Sequence, residues 1–204
     1  MITINEQSSI RIEYDKIYYF DPFHIDKSYN DADYIFITHD HWDHFDKDSI
    51  SKVIKDSTIF IVPLYMKELM SEYSNEIIYV EPGKDYSMFG LGFRTSYSYN
   101  LDKDYHPKEK GNVGYIVPIG DTVYYIAGDT DVIPEMDTIT ADVWFIPIGG
   151  TFTMTYEEAA DLVNRAMPSK CIPIHYGTVV GDKSYGEEFK KLVGDSTLVE
   201  LYIK

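Results

Sequence analysis

The stretch Tyr34-Ile35-Phe36-Ile37-Thr38-His39-Asp40-His41-Trp42-Asp43-His44 sets an apolar run directly against three of the chain's six histidines. Asp33 to Thr38 reads as a buried strand, and the histidines begin where that strand should end. Side chains alternate along an extended backbone, so His39 and His41 point the same way and both imidazoles can reach one ion. A turn beginning at Trp42 then sends Asp43 and His44 to a neighbouring position, giving two adjacent ion sites. Neutral imidazoles with ionised carboxylates suit zinc, manganese or iron, whereas calcium draws almost wholly on oxygen. A solvated surface loop is the plain alternative, and two aspartates at this spacing argue against it. Asp40 is read as a supporting or exposed residue and Trp42 as a packing one.

Outward from this run, β-type segments precede it at Ser9 to Tyr14 and Ile17 to Phe20. Asp46 to Lys55 and Leu64 to Tyr73 look helical, and strands follow around Ile77 to Val80 and Gly92 to Tyr99. Val113 to Ile119 and Thr122 to Ala127 flank the turn-forming pair Gly120-Asp121 and predict a hairpin. The last third alternates strand and helix: Asp142 to Ile148, Thr155 to Ala166, Lys170 to Ile174, Gly186 to Val193 and Thr197 to Ile203. Thr155 with Glu158 forms a capping-box pattern, and the helix it opens would bury Ala159, Leu162, Val163 and Ala166. Strands interspersed with helices predict an α/β (α+β) protein of two packed sheets with helices outside, for which an αββα sandwich is the natural candidate.

Composition bounds the function. The chain has 204 residues, 44% of them hydrophobic and 15% aromatic, which is enough to fold throughout as a single domain over residues 1–204. Its formal charge of −16 disfavours long nucleic acids and anionic membranes. The lone Cys171 cannot form an internal disulfide and reads as a small buried hydrophobe. No secretory pattern opens the chain and no stretch approaches membrane-spanning length, so a cytoplasmic location is expected. Gly149 and Gly150 lack the spacing of a phosphate loop and are read as a tight turn under the site. Tyr and Phe are abundant enough to line an interface, so a homo-oligomer stays open.

The motif His39-x-His41-x-Asp43-His44 resembles the HxHxDH signature of the metallo-β-lactamase superfamily. Ala127-Gly128-Asp129-Thr130-Asp131 is similar to that family's strand-end GDT segment. Ile148-Gly149-Gly150-Thr151-Phe152-Thr153-Met154, Ile174-His175-Tyr176-Gly177-Thr178 and Asp21-Pro22-Phe23 resemble the branch of metal-dependent hydrolases related to ascorbate-6-phosphate lactonase. The resemblance implies that His39 and His41 hold a first ion, that Asp43, His44 and His175 hold a second, and that Asp129 bridges them. The family's usual third histidine for the first ion is missing. Asn100 in Ser96-Tyr97-Ser98-Tyr99-Asn100 stands where it is expected, and His106 follows. Three readings stay open: Asn100 ligates through its amide oxygen, His106 enters the site as ligand or proton-transfer residue, or only the second ion binds tightly. The plain alternative for His106 is a surface histidine before a proline turn. His24 is read as structural or at the pocket rim, and Lys108 as a solvated lysine rather than one that neutralises substrate.

These residues imply a hydrolase using two divalent transition-metal ions, zinc first and manganese or iron next, on an ester, lactone or phosphoester of a small molecule. Asp43 and His106 are the candidate catalytic residues, Asp43 to orient the attacking water or accept its proton. The rival readings are a small-substrate phosphodiesterase, a metal-binding sensor or scaffold without turnover, and redox chemistry on two irons.

Overall fold

The computed structural model describes residues 1–203, and the chain divides into two compact units, Met1–Glu81 and Pro82–Lys204. The first unit holds a six-stranded mixed sheet in the order β1-β2-β3-β4-β5-β6. Its strands are β1 (Ile2–Ile4), β2 (Ile10–Glu13), β3 (Ile17–Phe20), β4 (Tyr34–Phe36), β5 (Ile59–Pro63) and β6 (Glu76–Val80). The first three pair antiparallel, and β3 to β6 run parallel. The parallel strands read as continuous apolar runs because both of their faces are buried. Tyr19, Ile35, Phe60 and Val62 form one face and pack with Ile50 and Val53 of α1 (Lys47–Val53). Phe20 stacks on Phe36 at 4.7 Å on the other face. Asp46 caps α1 by accepting from the backbone N–H groups of Asp48 and Ser49.

The second unit holds a seven-stranded mixed sheet in the order β13-β12-β11-β10-β9-β8-β7. These are β7 (Asp85–Met88), β8 (Leu91–Tyr97), β9 (Val113–Ile119), β10 (Thr122–Ile126), β11 (Val143–Pro147), β12 (Lys170–Ile174) and β13 (Leu198–Val199). Strands β7 to β10 form an antiparallel meander, and β10 to β13 run parallel. The hairpin turns at Gly120, whose φ of 61° suits a residue without Cβ. Helices α2 (Tyr156–Ala166) and α3 (Tyr185–Leu192) contribute Leu162, Val163 and Phe189 to a core with Trp144, Ile146 and Cys171. The capping box is present: Thr155 Oγ1 accepts from Glu158 N, and Glu158 accepts from Thr155 N at 2.8 Å. Cys171 is fully buried, and that burial pushes its thiol up.

Four expectations need correction. Residues 64–73 form two short 3-10 helices, Leu64–Lys67 and Leu69–Glu72, instead of one α-helix. Neither has a side-chain cap, and each buries a single side chain, Met66 in the first and Met70 in the second, so little packing holds a continuous α-helix against the core. In residues 197–203 only Leu198 and Val199 pair with the sheet. Ala166 lies exposed at the last turn of α2, where Met167 turns left-handed with φ 48°. Trp42 is 62% exposed and meets Phe23 edge-on. Two strands went unread in the sequence, β1 and β7, both at sheet edges.

Candidate metal centre

In the first unit β4 ends at Phe36, and the buried His39 follows a bend at Thr38. His41 O then accepts from His44 N at 3.0 Å and from Phe45 N at 2.8 Å, which closes the turn expected at Trp42. The turn folds three imidazoles together, His39 against His41 at 4.5 Å and against His44 at 4.0 Å between ring centroids. Asp43 lies beside them, its Oδ2 3.7 Å from His44 Nε2, and accepts from Gln7 Nε2 at 3.4 Å. Asp40 is tied elsewhere: the Tyr65 hydroxyl accepts from its backbone N–H and donates to its carboxylate. His24 is exposed and pairs with Glu6 at 2.7 Å.

Beneath the histidines lies Asp21, fully buried at the end of β3 in a left-handed backbone conformation with φ 44°. Burial raises its carboxyl above the ordinary carboxylate range, and His44 and Thr38 act against that shift. Asp21 accepts from Thr38 N at 2.8 Å, from the Thr38 hydroxyl at 2.6 Å and from His44 Nδ1 at 2.7 Å. The Thr38 hydroxyl has one proton and gives it to Asp21, so it acts as acceptor towards His39 Nδ1, 3.0 Å away. With Asp21 ionised, neutral His39 and His44 therefore carry their proton on Nδ1 and keep a lone pair on Nε2. Imidazoles fixed in that tautomer by a carboxylate and a hydroxyl are the state in which a divalent transition metal is bound, so this donor set fits one.

In the second unit Asp129 stands three residues beyond the end of β10 at Ile126, after Gly128 with φ 67°. His175 comes directly after β12 at a strained φ of 56°. Its Nε2 lies 3.1 Å from Asp129 Oδ2. His106 Nε2 lies 3.6 Å from the same oxygen, and His106 is fully buried, which removes the surface reading. Asn100 turns its amide oxygen to His106, at 3.1 Å from the backbone N and 3.0 Å from Nδ1. The loop between them is tied to the strand end that bears Asp129: Asp131 accepts from Leu101 N and pairs with Lys103. Lys108 is not simply solvated, since it pairs with Glu135 at 2.7 Å and lies over the Tyr97 and Tyr99 rings.

Gly149 does more than shape a turn. A Cβ there would stand 2.5 Å from the His175 carbonyl oxygen and 2.7 Å from Val180 Cγ1. Gly149→Ala is expected to cost about 1–3 kcal/mol and to displace His175. Urea unfolding together with metal content checks this, and wild-type values for both would refute the close-approach explanation.

The histidines and aspartates that are candidates for metal binding among the described residues are His39, His41, Asp43 and His44 in the first unit and His106, Asp129 and His175 in the second. A beta-lactamase superfamily domain matches residues 1–175. The chain belongs to the metallo-β-lactamase superfamily. Within that superfamily it is 33% identical over 192 residues to a UPF0173 metal-dependent hydrolase of Pyrococcus horikoshii, covering 85% of this chain and 79% of the relative. A solved structure assigned as a metal-dependent hydrolase of Parabacteroides distasonis aligns with a TM-score of 0.84 at 28% identity, covering all of this chain and 93% of that one. A metallo hydrolase of Ignicoccus hospitalis aligns at 0.78 over 98% of this chain and 93% of its own, and at 20% identity that likeness is one of fold. The metallo-β-lactamase fold and a metal-dependent hydrolase, both expected from the HxHxDH run, are thus established for this chain. Sequence reasoning missed the supporting partners Asp21, Thr38 and Gln7. A buried-strand segment ending in Asp-Pro, as Phe20-Asp21-Pro22 does, was the available signal for Asp21.

Proposed function

We propose that His39, His41, Asp43 and His44 with His106, Asp129 and His175 hold two divalent ions, zinc first, and that the protein hydrolyses an ester, lactone or phosphoester of a small molecule. The observation that carries the reading is the set of directed Nε2 atoms: His44 backed by Asp21, His39 by Thr38, and His106 and His175 facing one oxygen of Asp129. In the proposal His106 supplies the third histidine to the first ion beside His39 and His41. Asp43, His44 and His175 would hold the second ion, and Asp129 would serve both.

Bound divalent ions would supply an acidified water and polarise the substrate's carbonyl or phosphoryl oxygen. Asp43, which accepts from Gln7, would be placed to orient that water and take its proton. No serine or cysteine is needed as nucleophile, and the buried Cys171 is remote from such a role. The charge of −16 favours a small substrate over long nucleic acid. No helix among the described residues is long and apolar enough to cross a membrane.

The test is elemental analysis of the purified protein, before and after chelation, joined to turnover of aryl esters, lactones and phosphodiesters. About two ions per chain, with hydrolysis lost on chelation and regained on zinc addition, is the expected result. A fully metallated protein inert across the panel would overturn the hydrolytic assignment in favour of a sensor or scaffold.

A further inference from the structure

We infer that Asn100 is a positioning residue that fixes His106 in the tautomer able to bind metal, and so replaces a direct ligand with an indirect one. The inference rests on the reading of His106 as a ligand.

The amide of Asn100 has its orientation fixed twice over. Its Nδ2 donates to the Phe152 carbonyl at 2.9 Å, and its Oδ1 accepts from the His106 backbone N–H at 3.1 Å. A flipped amide would set an NH2 against a backbone N–H and an oxygen against a carbonyl, losing both bonds. Oδ1 is therefore an obligate acceptor where it meets His106 Nδ1 at 3.0 Å. A neutral His106 therefore carries its proton on Nδ1 and keeps its lone pair on Nε2, the atom 3.6 Å from Asp129 Oδ2. The backbone adds to the constraint, because Asn100 N donates to His106 O at 2.8 Å and closes the intervening loop. Buried polar groups that each have one partner hold one arrangement. The same oxygen engaged by two donors of His106 is poorly available to an ion, which sets aside direct ligation by Asn100. It acts as an uncharged counterpart of Asp21 under His44 and Thr38 under His39: all three supply an acceptor to Nδ1.

The test compares Asn100→Leu, which lacks the acceptor, with Asn100→Asp, which keeps one. Imidazole 15N NMR of the chelator-treated protein reads the His106 tautomer directly, with assignment by loss of the signal in His106→Ala. Wild type and Asn100→Asp are expected to show the Nδ1–H form, and Asn100→Leu a mixture or the Nε2–H form. Competition with a chromophoric chelator should show one of the two ions bound about 10- to 100-fold more weakly in Asn100→Leu and restored in Asn100→Asp. An Asn100→Leu protein that kept the Nδ1–H form and wild-type affinity would overturn the inference. If His106→Ala instead kept both ions at full affinity, the ligand reading of His106 would fall first. If His106→Ala lost one ion while Asn100→Leu kept both, only the role of Asn100 would fall.

Discussion

Replacing Asp21 by alanine is expected to cost about 3 kcal/mol or more of stability and to weaken metal binding, and the two losses are separable. The carboxylate takes three donors in a fully buried position: Thr38 N–H, the Thr38 hydroxyl and His44 Nδ1. Each donor left without a partner costs about 1–3 kcal/mol. Alanine also tolerates the left-handed φ of 44° less well than aspartate, whose short polar side chain is among those found there. Asp21→Asn separates folding from ligand chemistry. Its Oδ1 can still accept from Thr38 N–H, but an NH2 now faces His44 Nδ1. His44 then lowers its energy by moving the proton to Nε2, the atom required for an ion. The asparagine variant should therefore unfold in urea close to wild type while losing about 10- to 100-fold in metal affinity. An asparagine variant with wild-type affinity would show that Asp21 serves folding alone.

Asp129→Ala is expected to reduce turnover by about a thousandfold or more, equivalent to roughly 4 kcal/mol of barrier. Its Oδ2 is the oxygen that both His175 Nε2 and His106 Nε2 face, at 3.1 Å and 3.6 Å. A donor shared in this way serves both proposed ions, so its loss should lower the metal count by more than removal of either histidine. Stability should change less than for Asp21→Ala, because Asp129's backbone carbonyl still accepts from Ser98 Oγ at 2.9 Å and keeps the strand end in place. Metal content and steady-state rates measured on the same preparations decide the matter. Two tightly held ions in the alanine variant would remove Asp129 from the bridging position.

The sequence was most legible where one physical signal acted alone. The hairpin β9 and β10 was announced by two apolar runs around Gly120-Asp121, and β12 matched its apolar run from Lys170 to Ile174. α2 followed from Thr155 and Glu158, whose reciprocal bonds need no distant partner. Residues 64–73 misled because Met66 and Met70 have helical spacing and are buried, while the neighbouring Leu64 and Leu69 are exposed, so each turn buries a single side chain. β7 carries the polar sequence Asp-Tyr-Ser-Met at a sheet edge, where pairing with β8 decides the conformation. Of the histidines proposed as ligands, His39, His41 and His44 stood out by clustering. Their supports did not, because Asp21 lies 17 residues before Thr38 and the pair is made only by the parallel register of β3 and β4. The Asn100 substitution read as a defect in the sequence, and the geometry shows why: its partner His106 lies six residues on, across a loop that no periodicity describes.

Asp21 follows β3, His39 follows β4, Asp129 follows β10 and His175 follows β12, so every one of these groups is carried where a strand gives way to a loop at its carboxyl end. The strands are held by main-chain pairing and by apolar packing that many side-chain combinations satisfy, while the segments beyond them add a few core side chains, such as Phe45, Ile133 and Tyr176, and otherwise reach the surface. Heritable change is therefore partitioned. Drift at the exposed loop positions alters what is bound while the groups at the strand ends keep their places, and drift in the strands is filtered by folding before it reaches the chemistry. A lineage built this way can exchange substrates while its reactive groups stay unchanged, and relatives alike in these residues are free to differ in what they consume.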